Sequence, residues 1–128
     1  MNYVAKKKIL LVEDDVAIRD VYQQVLEEAG FVISIASNGQ EGLEALKDQP
    51  FDLIFLDILM PILNGVQMLE AMKASEVEIK HGPIIVLTNL SHGKQVHRAI
   101  ELGAAGVITK AEIYPDDLIK LANKYIGY

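Results

Sequence analysis

The sequence predicts a doubly wound α/β domain, in which helices cover both faces of a parallel β-sheet. Short runs of β-branched residues or leucine alternate with longer stretches of helical periodicity, and this alternation is typical of a covered parallel sheet. The length of 128 residues suffices for one such domain and leaves no room for a second. A content of 51% hydrophobic and 23% charged residues is typical of a soluble globular protein.

The bulk composition also argues against several classes of protein. No apolar stretch approaches the roughly 20 residues of a membrane span, and the run after the lysines at 6–8 is too short for a signal peptide. The absence of cysteine excludes disulfides and thiolate chemistry, which fits a cytoplasmic protein. A net charge of −6 argues against nucleic-acid binding, because a phosphate-binding face needs a basic excess. We expect one domain over residues 1–128, with 1–7 as a short tail.

A change in hydrophobic period indicates the first strand and helix. Residues 9–12 are continuously apolar and predict a buried strand. Apolar residues then recur at the spacing of one helical face, and Gly30 ends this helix. The face consists of Ile18, Val21, Tyr22, Val25, Leu26 and Ala29. The loosely alternating residues 31–36 predict a second strand, at the edge of the sheet.

A second helix and the central strand follow. Asn38 and Glu41 resemble a capping box at the start of the helix, and Pro50 ends it. The apolar run 53–56 predicts a fully buried third strand. Because a carboxylate is unfavourable inside such a strand, we expect Asp57 at the strand's end and at a surface.

The third helix and the fourth strand are separated by a polar linker. The helix is predicted to begin at Asn64 and Gly65. Its expected inward positions are Val66, Leu69 and Met72. Residues 83–87 predict the fourth strand, in which proline is tolerated only as the first residue.

The remaining residues predict a fourth helix, a fifth strand and a last helix. Ser91 is a suitable cap for the fourth helix, which ends at Gly103, and residues 107–109 predict the fifth strand. Pro115 suits the first turn of the last helix. The expected inward positions of these helices are Val96, Ala99 and Ile100, then Leu118, Leu121, Ala122 and Tyr125.

Polar residues stand at the carboxyl ends of four of the five predicted strands. They are Glu13 and Asp14 after the first strand, Asp57 after the third, Thr88 after the fourth and Lys110 after the fifth. In a single parallel sheet with right-handed crossovers, these ends lie along one edge. Crowded carboxylates repel one another, and a hard divalent cation such as Mg²⁺ relieves the repulsion. A lysine and a hydroxyl beside it would stabilise the oxygens of a phosphoryl group, so we predict Asp57 as a nucleophile in phosphoryl transfer.

Short motifs surround these residues. They are Glu13-Asp14-Asp15 with Ile18-Arg19 after the first strand, Asp57-Ile58-Leu59-Met60-Pro61 with Gly65 four residues later, Leu87-Thr88, and Thr109-Lys110. Together they resemble the receiver domains of two-component response regulators, and the resemblance spans about residues 8–125. It implies a flavodoxin-like sheet of five parallel strands in the order 2-1-3-4-5 with five helices.

The resemblance implies the chemistry of the site. Asp57 would accept a phosphoryl group from the phosphohistidine of a histidine kinase or a histidine phosphotransfer protein. Asp14, Asp57 and the backbone carbonyl of Leu59 would ligate Mg²⁺, for which Mn²⁺ is a substitute, and Glu13 would contribute through water. The protein would not be an enzyme beyond catalysing its own phosphorylation and dephosphorylation.

The resemblance also implies how phosphorylation is read. Lys110 would pair with the acceptor carboxylate, Thr88 would turn its hydroxyl toward the phosphoryl oxygens, and Asp15 would cap the first helix. A downstream protein would bind the face formed by helix 4, strand 5 and helix 5. With no output region after Tyr128, we expect the receiver to act alone, as a monomer or as a weak dimer when phosphorylated.

Three residues depart from the family pattern. Val107 stands where the family usually has an aromatic residue, Ala111 where the lysine is usually followed by proline, and Asn89 where the residue after the threonine is usually small. They leave open the alternative of a receiver-like interaction module that is not phosphorylated.

An enzyme built on the same type of sheet is a further alternative. An aspartyl phosphatase would need a second acid at the position of Leu59, and the acidic residues 13–15 would repel the phosphate of a flavin. The basic side of the fourth helix is interpreted as a solvated face, with contact to a partner as the alternative. Its residues are His92, Lys94, His97 and Arg98.

Overall fold

The computed structural model describes residues 6–89 and 93–127. The strands are β1 (Lys8–Val12), β2 (Val32–Ala36), β3 (Leu53–Asp57), β4 (Ile84–Thr88) and β5 (Gly106–Thr109). The helices are α1 (Val16–Glu28), α2 (Gly39–Asp48), α3 (Gly65–Ala74), α4 (Gly93–Glu101) and α5 (Asp117–Ile126), with a 3₁₀ turn at Lys110–Glu112.

The strands form one parallel sheet in the order β2-β1-β3-β4-β5, which confirms the predicted fold and strand order. Ser91, the predicted cap of the fourth helix, and His92 lie outside the described residues. Within the described ranges, no helix is both long and apolar enough to cross a lipid bilayer.

Two separate cores lie on opposite faces of the sheet, because successive strand residues point to opposite sides. Leu10 and Val12 of β1 pack with α2, α3 and α4, whereas Ile9 and Leu11 pack with α1 and α5. All five residues of β3 and of β4 are buried. These strands are therefore continuously apolar, since both of their faces are covered.

The strand register aligns the carboxyl ends that carry the predicted site. Asp57 lies opposite Leu87, and Thr88 lies opposite Thr109. On the other side of β3, Val12 lies opposite Leu56. The residues that follow β1 and β5, together with the ends of β3 and β4, therefore meet at one edge.

The inward faces of three helices differ from the predicted ones. In α3, Met68 is fully buried although it was not predicted, while Val66 and Met72 are only half-buried. Ile100 in α4 and Val21 in α1 are exposed, with 52% and 45% of their surface accessible. The buried stripes of α1 and α4 are therefore narrower than predicted, whereas the stripe of α3 is shifted to include Met68.

The helix termini also differ in part. Asn38 Oδ1 accepts a hydrogen bond from the Glu41 amide at 2.9 Å, as predicted, but the Glu41 carboxylate accepts from the Ser37 amide at 3.0 Å. A complete capping box forms instead between Asn64 and Gln67 of α3, with both bonds at 2.9 Å.

The last helix begins later than predicted. Pro115 precedes α5, which starts at Asp117 after a turn in which the Asp117 amide donates to the Tyr114 carbonyl at 2.9 Å.

The loop between β3 and α3 is held at both ends. The Gly39 amide donates to the Leu63 carbonyl at 2.8 Å, and the Gly65 amide donates to the Ile58 carbonyl at 2.9 Å. A Cβ atom on Gly65 would lie 2.5 Å from the Asp57 carbonyl oxygen, so the start of α3 approaches the end of β3 only because this residue is glycine.

The apex of this loop is strained. Ile62 has a φ of 69°, and the Leu63 amide donates to the Pro61 carbonyl at 2.7 Å, which together define a γ-turn with positive φ. A β-branched residue is unfavourable in this region, at a cost of about 1–2 kcal/mol. The Ile62 side chain is 80% exposed, so packing offsets little of that cost.

Replacing Ile62 with glycine is expected to raise the free energy of unfolding by roughly 0.5–1 kcal/mol, because relief of the strained φ exceeds the added entropy of the unfolded chain. Urea denaturation of the wild type, Ile62→Gly and Ile62→Ala would measure this change. At an ordinary backbone position glycine is less stable than alanine by roughly 0.5–1 kcal/mol, so a glycine variant that is less stable than the alanine variant would contradict the strain.

Candidate functional site

A cleft opens at the carboxyl edge of the sheet. Its lining residues are Glu13, Asp14, Asp15, Ile18, Asp57, Leu59, Thr88, Asn89 and Lys110. The structure thus brings together every residue predicted for the site. Ile18 is an addition, since its helical periodicity indicated only a core position.

Asp57 lies at the floor of this cleft. It is the last residue of β3 and lines the cleft, as expected for a residue at the strand's end, but it is only 6% exposed and so is more buried than predicted. The ends of β1 and β4 flank it on both sides. A carboxylate can be buried at this position because a cation lies next to it.

That cation is Lys110, which lies just after β5 and is 8% exposed. Its Nζ pairs with Glu13 Oε1 and lies 3.2 Å from Asp57 Oδ2. Glu13 is completely buried, and its other carboxylate oxygen accepts a hydrogen bond from the Asp15 amide at 3.2 Å. Lys110 therefore connects the ends of three strands through two buried ion pairs.

Three carboxylates converge beside this lysine. Glu13, Asp14 and Asp57 each offer one oxygen, and these oxygens lie within 4.8 Å of one another. Glu13 and Asp57 are buried, whereas Asp14 is exposed. Such a set fits a hard divalent cation that keeps some of its water, because Mg²⁺ prefers oxygen ligands and retains part of its hydration shell.

The pKa values of Asp57 and Lys110 are both raised in the cleft. Burial raises the pKa of Asp57 to about 7, and the neighbouring Glu13 raises it in the same direction against the opposing effect of Lys110. Burial lowers the pKa of Lys110, but its contacts with Glu13 and Asp57 outweigh this effect and the pKa is raised overall. Lys110 therefore stays charged, while Asp57 takes up a proton readily. A bound divalent cation would favour the ionised form of Asp57.

The other predicted residues occupy defined positions around the cleft. Thr88 is 4% exposed at the end of β4, and Asn89, which follows it, is exposed. The Leu59 amide donates to Asp57 Oδ1 at 3.4 Å, and its side chain is 48% exposed. Asp15 caps α1 as expected, since its Oδ1 accepts from the Ile18 amide at 3.1 Å.

Two departures from the family pattern have visible structural consequences. Ala111 lies in the 3₁₀ turn Lys110–Glu112, which forms the turn after β5 without a proline. Val107 is half-buried and packs against the core shared by α2, α3 and α4. A small aliphatic side chain therefore occupies the α4 side of β5 in place of the aromatic ring that is usual in the family.

Known proteins share this sequence pattern. A family model described as the response regulator receiver domain matches residues 9–123. The chain is 34% identical over 120 residues to the probable transcriptional regulator ycf29 of Pyropia yezoensis, covering 94% of this chain and 53% of that protein. It is 33% identical over 104 residues to the chemotaxis protein CheY of Halobacterium salinarum, covering 81% of this chain and 84% of that protein. The chain thus spans about half the length of the first relative and most of the second.

Solved structures share the fold. The crystal structure of a CheY-like response regulator receiver domain protein from Methanospirillum hungatei has a TM-score of 0.84 and 29% identity, and the match covers 96% of this chain and 95% of that chain. The signal receiver domain of a signal transduction histidine kinase from Syntrophus aciditrophicus has a TM-score of 0.79 and 31% identity, with 94% and 90% covered.

Replacing Asp57 with asparagine is expected to stabilise the metal-free protein near pH 8, by up to roughly 4 kcal/mol. The folded protein holds a proton on Asp57 up to about pH 7, whereas the unfolded chain releases it near the ordinary pKa of 3.8. The folded state therefore binds more protons between these values, and the stability of the wild type falls as the pH rises through this window. Asparagine has no such titration, and Lys110 keeps its contact with Glu13.

Urea denaturation in EDTA from about pH 5 to about pH 8 would measure this difference. The gain from Asp57→Asn should grow with pH and level off above about pH 7. Asp20→Asn is the matched control, because Asp20 is an exposed carboxylate on α1. A gain that does not depend on pH, or equal gains in both variants, would contradict the raised pKa of Asp57.

Proposed function

Because the chain belongs to the family of response regulator receiver domains, we propose that it is a phosphorylation-dependent switch whose phosphoryl acceptor is Asp57. The observation that carries this proposal is the convergence of Glu13, Asp14 and Asp57 beside Lys110 at one edge of the sheet. Residues 9–123, which match the family model, would form the functional domain. Receivers of two-component systems take phosphoryl groups from histidine kinases or phosphotransfer proteins, and we propose the same class of donor here.

The metal in this proposal is Mg²⁺, with Mn²⁺ as a substitute. Asp14, Asp57 and the Leu59 carbonyl would hold it, and Glu13 would contribute through water. When bound, it would neutralise charge on the acceptor and on the phosphoryl oxygens. The exposure of Asp14 supports a site that is open to water and to an incoming phosphoryl group.

Each cleft residue has a role in the proposed transfer. One Asp57 carboxylate oxygen would form a bond to phosphorus as the bond between phosphorus and the donor's imidazole nitrogen breaks. Lys110 Nζ, already 3.2 Å from Asp57, would stabilise the charge on the transferred group. Thr88, at the end of the adjacent strand β4, would donate its hydroxyl to a phosphoryl oxygen.

The added charge would act on the neighbouring loop and helix. A phosphoryl group adds roughly −1.5 to −2 charge and three acceptor oxygens. Movement of Thr88 toward these oxygens would change the face formed by α4, β5 and α5, and a downstream protein would bind or leave that face. Because Val107 is small, we propose that this coupling runs through Thr88 and the residues after it without an aromatic partner. We further propose a cytoplasmic location, a monomer or weak phosphorylation-dependent dimer, and no direct nucleic-acid binding.

Incubation with acetyl phosphate and Mg²⁺ is expected to add one phosphoryl group, which intact-mass spectrometry would detect. The Asp57→Asn variant should gain none because it lacks the nucleophile, and a sample with excess EDTA should gain none because it lacks the metal. Asp20→Asn serves as a control that keeps the cleft intact. An adduct that persists in Asp57→Asn would exclude Asp57 as the acceptor. A wild type that gains none would favour a receiver-like interaction module that is not phosphorylated.

Beryllofluoride, which mimics a phosphoryl group, is expected to shift the amide resonances of Thr88 and of α4 when added with Mg²⁺. Two-dimensional NMR of the labelled protein would record the shifts, and Thr88→Ala should confine them to the cleft. Shifts that stay within the cleft of the wild type would argue against transmission to the α4, β5 and α5 face.

A further inference from the structure

Arg19 extends from α1 toward the carboxyl edge of the sheet. Its Nη1 donates to Ser37 Oγ at 2.8 Å and lies 3.4 Å from the backbone carbonyl oxygen of Glu13. The side chain thus connects the loop after β2 with the residue that follows β1. It contacts a cleft residue through that residue's backbone and does not itself line the cleft.

Stability alone does not account for this arginine. The ion pairs formed by residues 6–89 and 93–127 do not include Arg19, although three carboxylates converge at the same edge of the sheet. Its Nε is buried and has no hydrogen-bond partner among the protein atoms of those residues. A buried polar atom in this state is unfavourable, so the stability of the fold does not explain the arrangement.

The Glu13 carbonyl belongs to the same peptide unit as the Asp14 amide. The amide of Glu13 donates to the Ala36 carbonyl at 3.0 Å, and its carbonyl accepts from Arg19, so both backbone groups of Glu13 are hydrogen-bonded. The orientation of the next residue, Asp14, follows from the plane of this peptide.

Asp14 depends on its backbone more than the other two acids do. The carboxylates of Glu13 and Asp57 are held by Lys110. Among the described residues, by contrast, the Asp14 carboxylate has no hydrogen bond or ion pair of its own. The backbone that Arg19 holds therefore fixes the point from which the Asp14 side chain reaches the cluster.

We propose that Arg19 is a positioning residue for the cation site, which fixes the peptide between Glu13 and Asp14 so that the Asp14 carboxylate meets the metal. This inference rests on the proposed function. Mg²⁺ requires nearly ideal octahedral geometry, whereas Ca²⁺ accepts irregular geometry and variable coordination number. Loss of Arg19 should therefore weaken Mg²⁺ binding more than Ca²⁺ binding.

Arg19→Met is expected to raise the Kd for Mg²⁺ about tenfold and the Kd for Ca²⁺ only about two- to threefold. A tenfold loss is typical when a residue that supports a metal ligand is removed. Titrations of the purified protein with each metal, followed by NMR, would measure both constants. Arg19→Lys, which keeps the charge and one donor group, should recover part of the Mg²⁺ affinity. Ser37→Ala, which keeps the arginine and removes one acceptor, should weaken Mg²⁺ binding by a smaller factor.

Arg98→Met is the matched control. It removes the same charge from α4, where Arg98 is exposed and pairs with Glu70 and Glu101. If Arg19 acted only through its positive charge, its removal would leave the cleft more negative and Mg²⁺ would bind more tightly. An unchanged or lower Kd in Arg19→Met would therefore overturn the proposal, as would equal losses for Mg²⁺ and Ca²⁺.

A readout without metal separates this inference from the proposed function. In the metal-free protein, the Asp14 amide resonance should shift in Arg19→Met and in Ser37→Ala but not in Arg98→Met, because the Glu13 carbonyl changes its hydrogen bonding. If the wild type binds no Mg²⁺, the proposed metal site and this inference both fail. If the wild type binds Mg²⁺ and the Arg19 and Ser37 variants bind it equally well, only the role of Arg19 fails.

Discussion

The buried contacts of Lys110 with Glu13 and Asp57 are the interaction on which the carboxyl edge of the sheet depends. The three side chains come from the ends of β1, β3 and β5, and removal of the Lys110 charge would leave two buried carboxylates without compensation. Even so, burial and the neighbouring Glu13 keep the pKa of Asp57 raised, although Lys110 acts to lower it. A further positive charge, such as the proposed Mg²⁺, would therefore be favourable in the cleft.

The backbone around the cleft is held by contacts that lie outside it. Gly39 and Gly65 fix the two ends of the loop after β3, and neither position leaves space for a Cβ atom. The strained turn at Ile62 lies between these anchors. On the opposite side, Arg19 holds the residue after β1. The acidic cluster is thus supported from the first, second and third strand ends as well as by Lys110.

Much of the fold follows from hydrophobic patterning. The alternation of short apolar runs with helical stretches predicted a sheet covered on both faces, and the polar residues after four of the strands predicted which residues line the cleft. Helix faces were predicted less well, as Met68 and Ile100 illustrate. A period of 3.6 residues identifies a helix, but the width of its buried stripe depends on how closely the neighbouring helix packs. The capping box was assigned to Asn38, whereas the complete one lies at Asn64.

By itself, the sequence determined the fold class and the identity of the residues that follow the strands, because local periodicity and parallel connections constrain both. The strand order was implied by the resemblance of the motifs to receiver domains. Only the tertiary structure decided how these residues contact one another. Lys110 and Glu13 are 97 positions apart, and their pairing depends on the register of strands that no local pattern encodes. Other features of the cleft also arise only where separate chain segments meet in space. They are the burial of Asp57, the rise in its pKa and the contact of Arg19 with the Glu13 carbonyl.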